Sequence, residues 1–362
     1  MSAPRVMVTG VGSNIGQGIV KALYLAYPDA YVVGADADRN AVGFFACNAG
    51  MVLPLAGDVQ YPDAVARALG DHSVDLVLIG SHAEAPRMAR LREELEQRTG
   101  AVIAVGPVDA VDACIDKYRT AQRLRAAGCH YARSIVSSSP RLSHQVVQLV
   151  EQIGFPLVVK PRSGQGSRGV GIVRTMDQLE RATAALAEPL IQEYLGDEDS
   201  EYTTAVLADR AGTIAGTVTM RRQLVAGTTV VAEIGDHPEI AAECRRVIRA
   251  LGLCGPGNVQ MRMTERGPVT FEVNPRFSGT TAMRALAGWN DVAAVVGHYL
   301  HGEPMQVGPA RPGRVTRFYD EVFVPADEVA EIAATGRWPG ESRPERGSGI
   351  DSLSLFGPGR AR

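Results

Sequence analysis

The sequence is poor in the features that mark metal-binding, disulfide-bonded or membrane proteins. Five cysteines occur among 362 residues, and no two of them form a C-x-x-C pair. This pattern argues against a zinc site and against a disulfide framework. No apolar run approaches the length of a membrane span, and the apolar stretch near the N-terminus is too short for a signal-peptide core. We therefore expect a cytoplasmic protein with reduced thiols and no membrane partner.

Strong charge of one sign is also lacking. The formal net charge is -3, and the arginines are spread along the chain without forming a basic run. A nucleic-acid surface normally requires such a run, so nucleic acid is not an expected partner. The hydrophobic content of 45% and the charged content of 21% predict a globular protein. A chain of this length has room for two or three domains.

The N-terminal third alternates short apolar runs with helix-like segments. Runs over 5–9, 31–34 and 74–79 are each followed by a polar or glycine-rich turn. This alternation predicts βαβ units around a parallel sheet. The first turn, 10–16, with Asp36 downstream, resembles a dinucleotide-binding fingerprint, although its spacing is G-x-G-x-x-x-G. An oxidoreductase is therefore one alternative for the function.

A segment near residue 272 places three functional side chains at alternate positions. Glu272, Asn274 and Arg276 follow one another in the sequence F-E-V-N-P-R. Alternate side chains of an extended strand share a face, so we expect these three to project together. Two oxygen ligands suit a hard cation, and a guanidinium suits a phosphate or carboxylate. A half-buried strand with a solvated polar face is the alternative.

A lysine and a glycine-rich loop form a second candidate for phosphate binding. Lys160 ends an apolar strand, and the loop over 162–171 contains four glycines, two serines and two arginines. Glycine accepts the backbone dihedrals that turn N–H groups toward an anion. The loop is not a Walker A motif, because no Gly-Lys-Ser/Thr ends it. Alternatively, Lys160 extends to the sheet edge and the loop is a plain hairpin tip.

Two expectations concern segments outside these motifs. A helix is predicted over 112–128, with Asp116 and Lys117 as a charged pair on its outer side. The tail over 340–362 is rich in Gly, Pro, Arg and Ser, which predicts partial disorder.

Four motifs in order resemble the ATP-grasp superfamily. They are V-V-K-P-R-S-G-Q-G-S-R-G-V-G, I-Q-E-Y-L followed by E-Y-T-T, G-N-V-Q, and F-E-V-N-P-R-F-S-G. Within this superfamily, the chain resembles the carbamoyl phosphate synthetase large subunit and the single-unit carboxylate–amine ligases similar to it. The resemblance implies an α/β fold, α+β in the nucleotide-binding part, with a Rossmann-like preATP-grasp domain before two ATP-grasp lobes. The expected domains are residues 1–110, 111–200 (small lobe), 201–325 (large lobe) and a C-terminal segment, 326–362.

The resemblance also assigns roles to individual residues. It places the nucleotide against Lys117 and Lys160, against the adenine-side residues Glu193, Tyr194 and Leu195, against the ribose ligand Glu201, and under a loop that includes Ser163, Gly164, Gly166, Ser167, Gly169 and Val170. It assigns Mg²⁺, with Mn²⁺ as an alternative, to Gln260, Glu272 and Asn274, and assigns catalysis to Arg276, Lys160 and Asn274. Many members of the superfamily have a carboxylate where Gln260 stands, and an amide is a weaker cation ligand.

The implied activity is ATP-dependent ligation of a small carboxylic acid, such as an amino acid, to an amine through an acyl phosphate. Two alternatives are phosphorylation of bicarbonate or carbamate and a nucleotide-binding regulatory protein without catalysis. The expected partners are a small-molecule carboxylate and an amine, and a homodimer is a common arrangement in this family.

The acceptor site is less specific in sequence. Arg221 and Arg222 offer two guanidiniums that could clamp a carboxylate, or they are surface arginines. His82 and Glu84 follow an apolar strand at the edge where ligands enter open α/β sheets. They are candidates to meet the amine, with a helix cap as the alternative.

Overall fold

The computed structural model describes residues 3–136, 144–164, 169–196, 198–318 and 324–338. These residues form three sheets, of six, four and six strands, with helices packed on them. Within the described ranges, no helix combines the length and the apolar character needed to cross a bilayer.

The first sheet is the parallel α/β sheet expected from the alternating pattern. Its strands run in the order β16-β3-β2-β1-β4-β5, and only the short β16 is antiparallel. The strands are β1 (Arg5–Thr9), β2 (Tyr31–Asp36), β3 (Ala49–Val52), β4 (Leu76–Leu78), β5 (Val102–Ala104) and β16 (Arg337–Trp338). The helices that follow these strands or close the domain are α1 (Asn14–Ala26), α2 (Tyr61–Asp71), α3 (Glu84–Thr99), α4 (Val108–Ile115) and α5 (Lys117–Ala126).

The second sheet is small and antiparallel. Its order is β6-β9-β7-β8. Its elements are β6 (Ser134–Val136), α6 (His144–Ile153), β7 (Leu157–Pro161), β8 (Gly171–Val173), α7 (Met176–Ala184) and β9 (Pro189–Glu193). The helices bury one face of the sheet through a core of its own, which includes Val146, Leu157 and Leu179. The opposite face is therefore available to line a cavity.

The third sheet is a large antiparallel one in the order β14-β13-β10-β11-β12-β15. Its strands are β10 (Glu201–Ala208), β11 (Ile214–Val225), β12 (Thr228–Ile234), β13 (Gly255–Thr264), β14 (Gly267–Asn274) and β15 (Gly313–Thr316). The helices in this part of the chain are α8 (Pro238–Leu251), α9 (Thr281–Leu286) and α10 (Asp291–His301), and α11 (Ala326–Thr335) precedes β16.

The described C-terminal segment returns to the first sheet. Arg337 and Trp338 pair with Met51 and Gly50, and Trp338 is buried in the same core as residues of the large sheet. This core is continuous between the first sheet and the third sheet, so hydrophobic packing fixes the two sheets relative to each other. The sequence did not reveal this return, and the tail predicted to be partly disordered lies outside the described residues.

The helix predicted over 112–128 is two helices. Asp116 is both the C-cap of α4 and the N-cap of α5. Its carboxylate accepts hydrogen bonds from the backbone N–H groups of Tyr118 and Arg119. An aspartate that satisfies the first N–H groups of a new helix stabilises a helix start. The break turns Lys117 inward, and the expectation that Asp116 and Lys117 point outward is wrong.

Candidate functional site

A cavity of about 480 Å³ lies between the small sheet and the large sheet. This volume is within the range typical of small-molecule sites. Residues from both sheets and from the start of α5 line it: Lys117, Val158, Lys160, Pro161, Gly164, Val170, Ile172, Gln192, Glu193, Tyr194, Leu195, Glu201, Arg222, Leu224, Gly227, Gln260, Arg262, Phe271 and Glu272. We call it the nucleotide cavity, after the ligand expected there.

Lys160 reaches the cavity from β7 of the small sheet. Its side chain is buried, with Nζ donating to the carbonyl oxygen of Phe271 at 3.3 Å. Burial lowers the pKa of Lys160 to about 8, although the charge of Glu272 opposes this shift. A lysine in such surroundings is stabilised in its charged form by an anion, because the cost of burying its charge is then offset.

Lys117 reaches the same cavity from the first turn of α5. Its Nζ donates to the carbonyl oxygen of Gly164 at 2.8 Å, which ties it to the glycine-rich loop. Burial lowers the pKa of this lysine as well. The neighbouring Asp116 forms an ion pair of 2.6 Å with Arg162. Two contacts, from Lys117 and from Asp116, therefore connect the start of α5 to the start of the glycine-rich loop.

Glu272, Asn274 and Arg276 contact one another in a row, as the alternation predicted. The amide nitrogen of Asn274 donates to Glu272 Oε1 at 3.0 Å, and a guanidinium nitrogen of Arg276 donates to Asn274 Oδ1 at 3.1 Å. Although burial alone raises the pKa of Glu272, the charges of Lys160 and Lys117 outweigh it and lower that pKa below its ordinary value. Burial lowers the pKa of Arg276 to about 10, and its Nε is buried without a partner among the described residues. A guanidinium N–H left unpaired in the protein is available to an anionic ligand.

A carboxylate network closes the cavity wall on the large sheet. Glu201 of β10 forms ion pairs with Arg222 of β11 and with Arg262 of β13, the latter at 2.9 Å. Arg222 also donates to Gln260 Oε1 at 2.9 Å. The side chains of Glu201, Arg222 and Arg262 are largely buried. The predicted ribose ligand Glu201 lines the cavity, and both of its oxygens already accept from arginines.

The predicted adenine-side residues line the cavity as a continuous segment at the end of β9. Glu193, Tyr194 and Leu195 all contribute to its wall. The carboxylate of Glu193 accepts from Arg266 at 2.7 Å and from the backbone N–H of Arg133 at 3.2 Å. Its oxygens are thus engaged by protein groups.

The glycine-rich loop is described only in part. Gly164 and Val170 line the cavity, whereas Ser163 and Gly169 flank it without lining it. Gly169 has a φ of +71°, a conformation that favours glycine. The predicted loop residues Gly166 and Ser167 lie outside the described residues.

Arg221 and Arg222 do not form the joint clamp considered from the sequence. Successive residues of a strand point to opposite faces, and Arg221 is paired with Glu233 at 2.9 Å, 48% exposed. Only Arg222 lines the cavity. The expectation of a shared carboxylate clamp is therefore corrected.

His82 and Glu84 line a second cavity, in the N-terminal domain. Glu84 accepts from the hydroxyl of Tyr61 at 2.6 Å, and burial raises the pKa of Glu84. Burial lowers the pKa of His82 to about 4, with the charge of Arg276 adding to the effect. The charges of Arg276 and Glu272 both act on His82, so the second cavity lies near the Glu272 wall of the nucleotide cavity.

The oxygen donors suit a hard cation held together with a nucleotide. One ionised carboxylate, Glu272, and the amide oxygens of Gln260 and Asn274 are ligand types that Mg²⁺ accepts, with phosphate oxygens supplying further positions. Both amide oxygens accept from arginines, which a cation would have to displace. Among the described residues no group of three or more His, Cys, Asp or Glu could bind a metal alone.

Sequence reasoning missed Arg262, which lines the cavity, and Arg162, which does not line it but pairs with Asp116 next to Lys117. Arg262 lies two residues after Gln260 on β13, so alternation alone would have put both on the cavity face. Arg162 carries no comparable signal, because its partner Asp116 comes from a distant part of the chain.

Comparison with known proteins identifies the fold. Residues 186–320 match a family model described as ATP-grasp in the biosynthetic pathway with Ter operon. The N5-carboxyaminoimidazole synthetase of Staphylococcus aureus, complexed with ADP, has a TM-score of 0.66 over 85% of this chain and 79% of that one, at 14% identity. The chain has the ATP-grasp fold. An L-amino acid ligase from Bacillus licheniformis shares this ATP-grasp fold with a TM-score of 0.64, at 17% identity over 83% of this chain and 75% of that one.

The curated relatives are longer proteins that match this chain over only part of their length. A carbamoyl phosphate synthase large chain from Pasteurella multocida is 25% identical over 228 residues, 58% of this chain and 21% of that protein. An uncharacterized protein, y4rH, from Sinorhizobium fredii is 30% identical over 190 residues, 47% of this chain and 38% of that protein. The chain thus spans well under half the length of these relatives.

Proposed function

We propose that the protein is an ATP-dependent carboxylate–amine ligase that forms an acyl phosphate and releases ADP and phosphate. The observation that carries the proposal is the hydrogen-bonded row of Glu272, Asn274 and Arg276. Its first member, Glu272, lines the same cavity as the buried lysines Lys117 and Lys160. The similarity to the L-amino acid ligase adds support. Lys117, Lys160 and Arg276 are three buried cations around the ionised carboxylate of Glu272. This arrangement favours a polyanionic ligand bound together with a cation, which is the charge distribution of ATP and Mg²⁺.

Each residue has a distinct part in this proposal. Lys117 and Lys160 bind the phosphates, and the loop beginning at Ser163 excludes water from them. Arg276 stabilises negative charge on the phosphoryl group as it passes to the carboxylate, where preorganised electrostatics supply most of the rate. Glu272, Asn274 and Gln260 would hold Mg²⁺, which when bound neutralises phosphate charge.

The chemistry balances without a further reactant. The substrate carboxylate oxygen attacks the γ-phosphorus, a P–O bond forms, and ADP leaves. The amine nitrogen then attacks the acyl carbon, a C–N bond forms, and the C–O bond to phosphate breaks. An ammonium loses two protons in becoming an amide, and these go to the leaving phosphate and to solvent.

The test is a product assay with ATP, Mg²⁺ and pairs of carboxylic acids and amines. ADP and phosphate should be released only when an acid is present, and the amide should form only when both are. Release of AMP and pyrophosphate would contradict the acyl-phosphate mechanism.

Phosphorylation of bicarbonate or carbamate is a second candidate, favoured by the similarity to carbamoyl phosphate synthase large chains. Under this alternative, bicarbonate alone should stimulate ADP release. Omitting bicarbonate from the acid and amine assay separates the two candidates.

A further inference from the structure

A second cavity of about 430 Å³ opens at the carboxyl ends of β1 and β4. The sheet order reverses at this point, since β1 lies between β2 and β4. Open α/β sheets bind ligands in the crevice at such a switch point. The cavity lining includes the glycine turn after β1, the end of β2, and the segment from Gly80 to Glu84. We call it the N-terminal cavity.

The charged groups of the N-terminal cavity are acidic. Asp36, Asp38 and Glu84 line it, and its described lining contains no lysine or arginine. Glu84 is only 9% exposed, and its hydrogen-bond partners are the neutral hydroxyl groups of Tyr61, Thr9 and Ser81. Across the described ranges no ion pair involves Glu84. A buried carboxyl group without a cationic partner favours a ligand that brings positive charge.

The glycine turn after β1 is unsuited to binding an anionic ligand. Asp36 Oδ2 accepts the backbone N–H of Gly12 at 2.7 Å, and Oδ1 accepts that of Asp38 at 2.9 Å. In a dinucleotide site the N–H groups of such a turn approach a pyrophosphate. Here a carboxylate already takes the N–H of Gly12, and its charge repels phosphate. Phosphorylated ligands and dinucleotides are therefore disfavoured.

His82 gives an independent sign of a ligand. It is 9% exposed and lines the cavity, and neither ring nitrogen makes a well-formed hydrogen bond among the described residues, although the Asn274 side chain lies close to the ring. Buried polar atoms are rarely left unpaired unless a ligand or water meets them. The charges of Arg276 and Glu272 also act on His82, so this side of the N-terminal cavity is near the Glu272 wall of the nucleotide cavity.

The outer part of the N-terminal cavity is apolar. Val42 and Leu55 line it and are 45% and 72% exposed. Exposed apolar side chains at the mouth of a cavity suit an apolar portion of a ligand.

We propose that the N-terminal cavity binds the acceptor amine of the ligase as a cationic, unphosphorylated amine with an apolar substituent. This assignment rests on the proposed function. Glu84 meets the ammonium group, His82 accepts from or donates to the part of the ligand nearest Arg276, and Val42 and Leu55 contact the apolar substituent.

The test uses ligand-observed NMR on the full chain without ATP, with four probes. 3-Methylbutylamine should bind at least about tenfold more tightly than 3-methylbutanoate, the matched anion. The reason is that only the amine can form an ion pair with the buried carboxylate of Glu84. O-Phosphoethanolamine and NADH should not compete with it. Equal binding of the amine and the carboxylate, or displacement by either phosphorylated probe, would overturn the proposal.

Variants locate the binding. Glu84→Gln keeps the acceptor for Tyr61 and should weaken 3-methylbutylamine binding about tenfold, whereas Glu94→Gln, an exposed change on the same helix, should leave it unaltered. Leu55→Ser, at an exposed position, should weaken 3-methylbutylamine but not methylamine. Unchanged ADP affinity in each variant shows that the fold is retained. An enzyme that releases ADP yet shows no amine binding to this cavity overturns this inference and leaves the proposed function in place.

Discussion

The two cavities differ in how their charges are balanced. In the nucleotide cavity, lysines and arginines outnumber carboxylates, and the carboxylates Glu193, Glu201 and Glu272 each interact with a cation. In the N-terminal cavity, the described lining has carboxylates and no basic side chain. Two ligands of opposite charge would thus be sorted by electrostatics before any shape selection.

The difference also shows how a reaction between the ligands could be arranged. The charges of Glu272 and Arg276 both act on His82, so the end of the nucleotide cavity that we propose holds the phosphoryl group lies near the N-terminal cavity. The anionic and cationic partners then need not share one pocket. Their reacting ends would meet near His82.

The largest expected effect comes from removing the charge of Glu272. Glu272→Gln keeps the side-chain shape but leaves Lys117, Lys160 and Arg276 without their shared counter-charge and weakens cation binding. We expect ADP release to fall by about 10²–10³-fold, the typical cost of losing a preorganised electrostatic group. A coupled assay for ADP measures it.

The control for this variant is its far-UV circular dichroism and its binding of 3-methylbutylamine, which should both match the wild type. Wild-type rates of ADP release in Glu272→Gln would show that the metal and phosphoryl assignment is mistaken. Loss of amine binding as well would mean that the two cavities are not separate.

A moderate effect is expected from pH, through Lys160. Burial brings its pKa to about 8 from an ordinary value of 10.5, so the free protein loses this positive charge as the pH rises above about 8. Metal-free ADP affinity should then decrease by up to about tenfold per pH unit. Calorimetric titrations between pH 7 and 9.5 measure this dependence.

The contribution of Lys160 to the free energy of unfolding changes with pH in the opposite direction to the ADP affinity. Between its folded pKa of about 8 and its ordinary value of 10.5, the unfolded chain binds more protons at this lysine. The free energy of unfolding contributed by Lys160 therefore rises with pH in this window.

The control for the ADP titrations is Lys160→Arg, which stays charged throughout and should bind ADP with a flatter pH dependence. A wild-type affinity that stays constant to pH 9.5 would exclude Lys160 from phosphate binding.

The parts of the site that could be predicted are those encoded locally. The row of Glu272, Asn274 and Arg276 follows from strand alternation, and Lys160 is recognisable because it ends an apolar strand before a glycine-rich loop. The parallel sheet follows from periodicity in the same way. In each case the residues that act together are neighbours in sequence.

The parts that could not be predicted depend on long-range pairing. The ion pairs of Glu201 with Arg222 and Arg262 require β10 to lie between β11 and β13. The acidic lining of the N-terminal cavity combines the ends of several strands, and β16 returns from the C-terminal end of the described chain. One sequence carries no signal for such register.

The smallest expected effects come from substituting the adjacent residues Arg221 and Arg222. Comparing them tests whether only Arg222 lines the nucleotide cavity. Arg222→Ala removes a buried partner of Glu201 and Gln260, and we expect ADP affinity to fall by about tenfold and the melting temperature to decrease. Arg221→Ala removes an exposed partner of Glu233, which still pairs with Arg314, so ADP affinity should change by less than about twofold. Calorimetry with ADP on both variants makes the comparison within one strand. Equal losses would mean that Arg221 also reaches the ligand, and that the charge difference between the two cavities extends beyond their described walls.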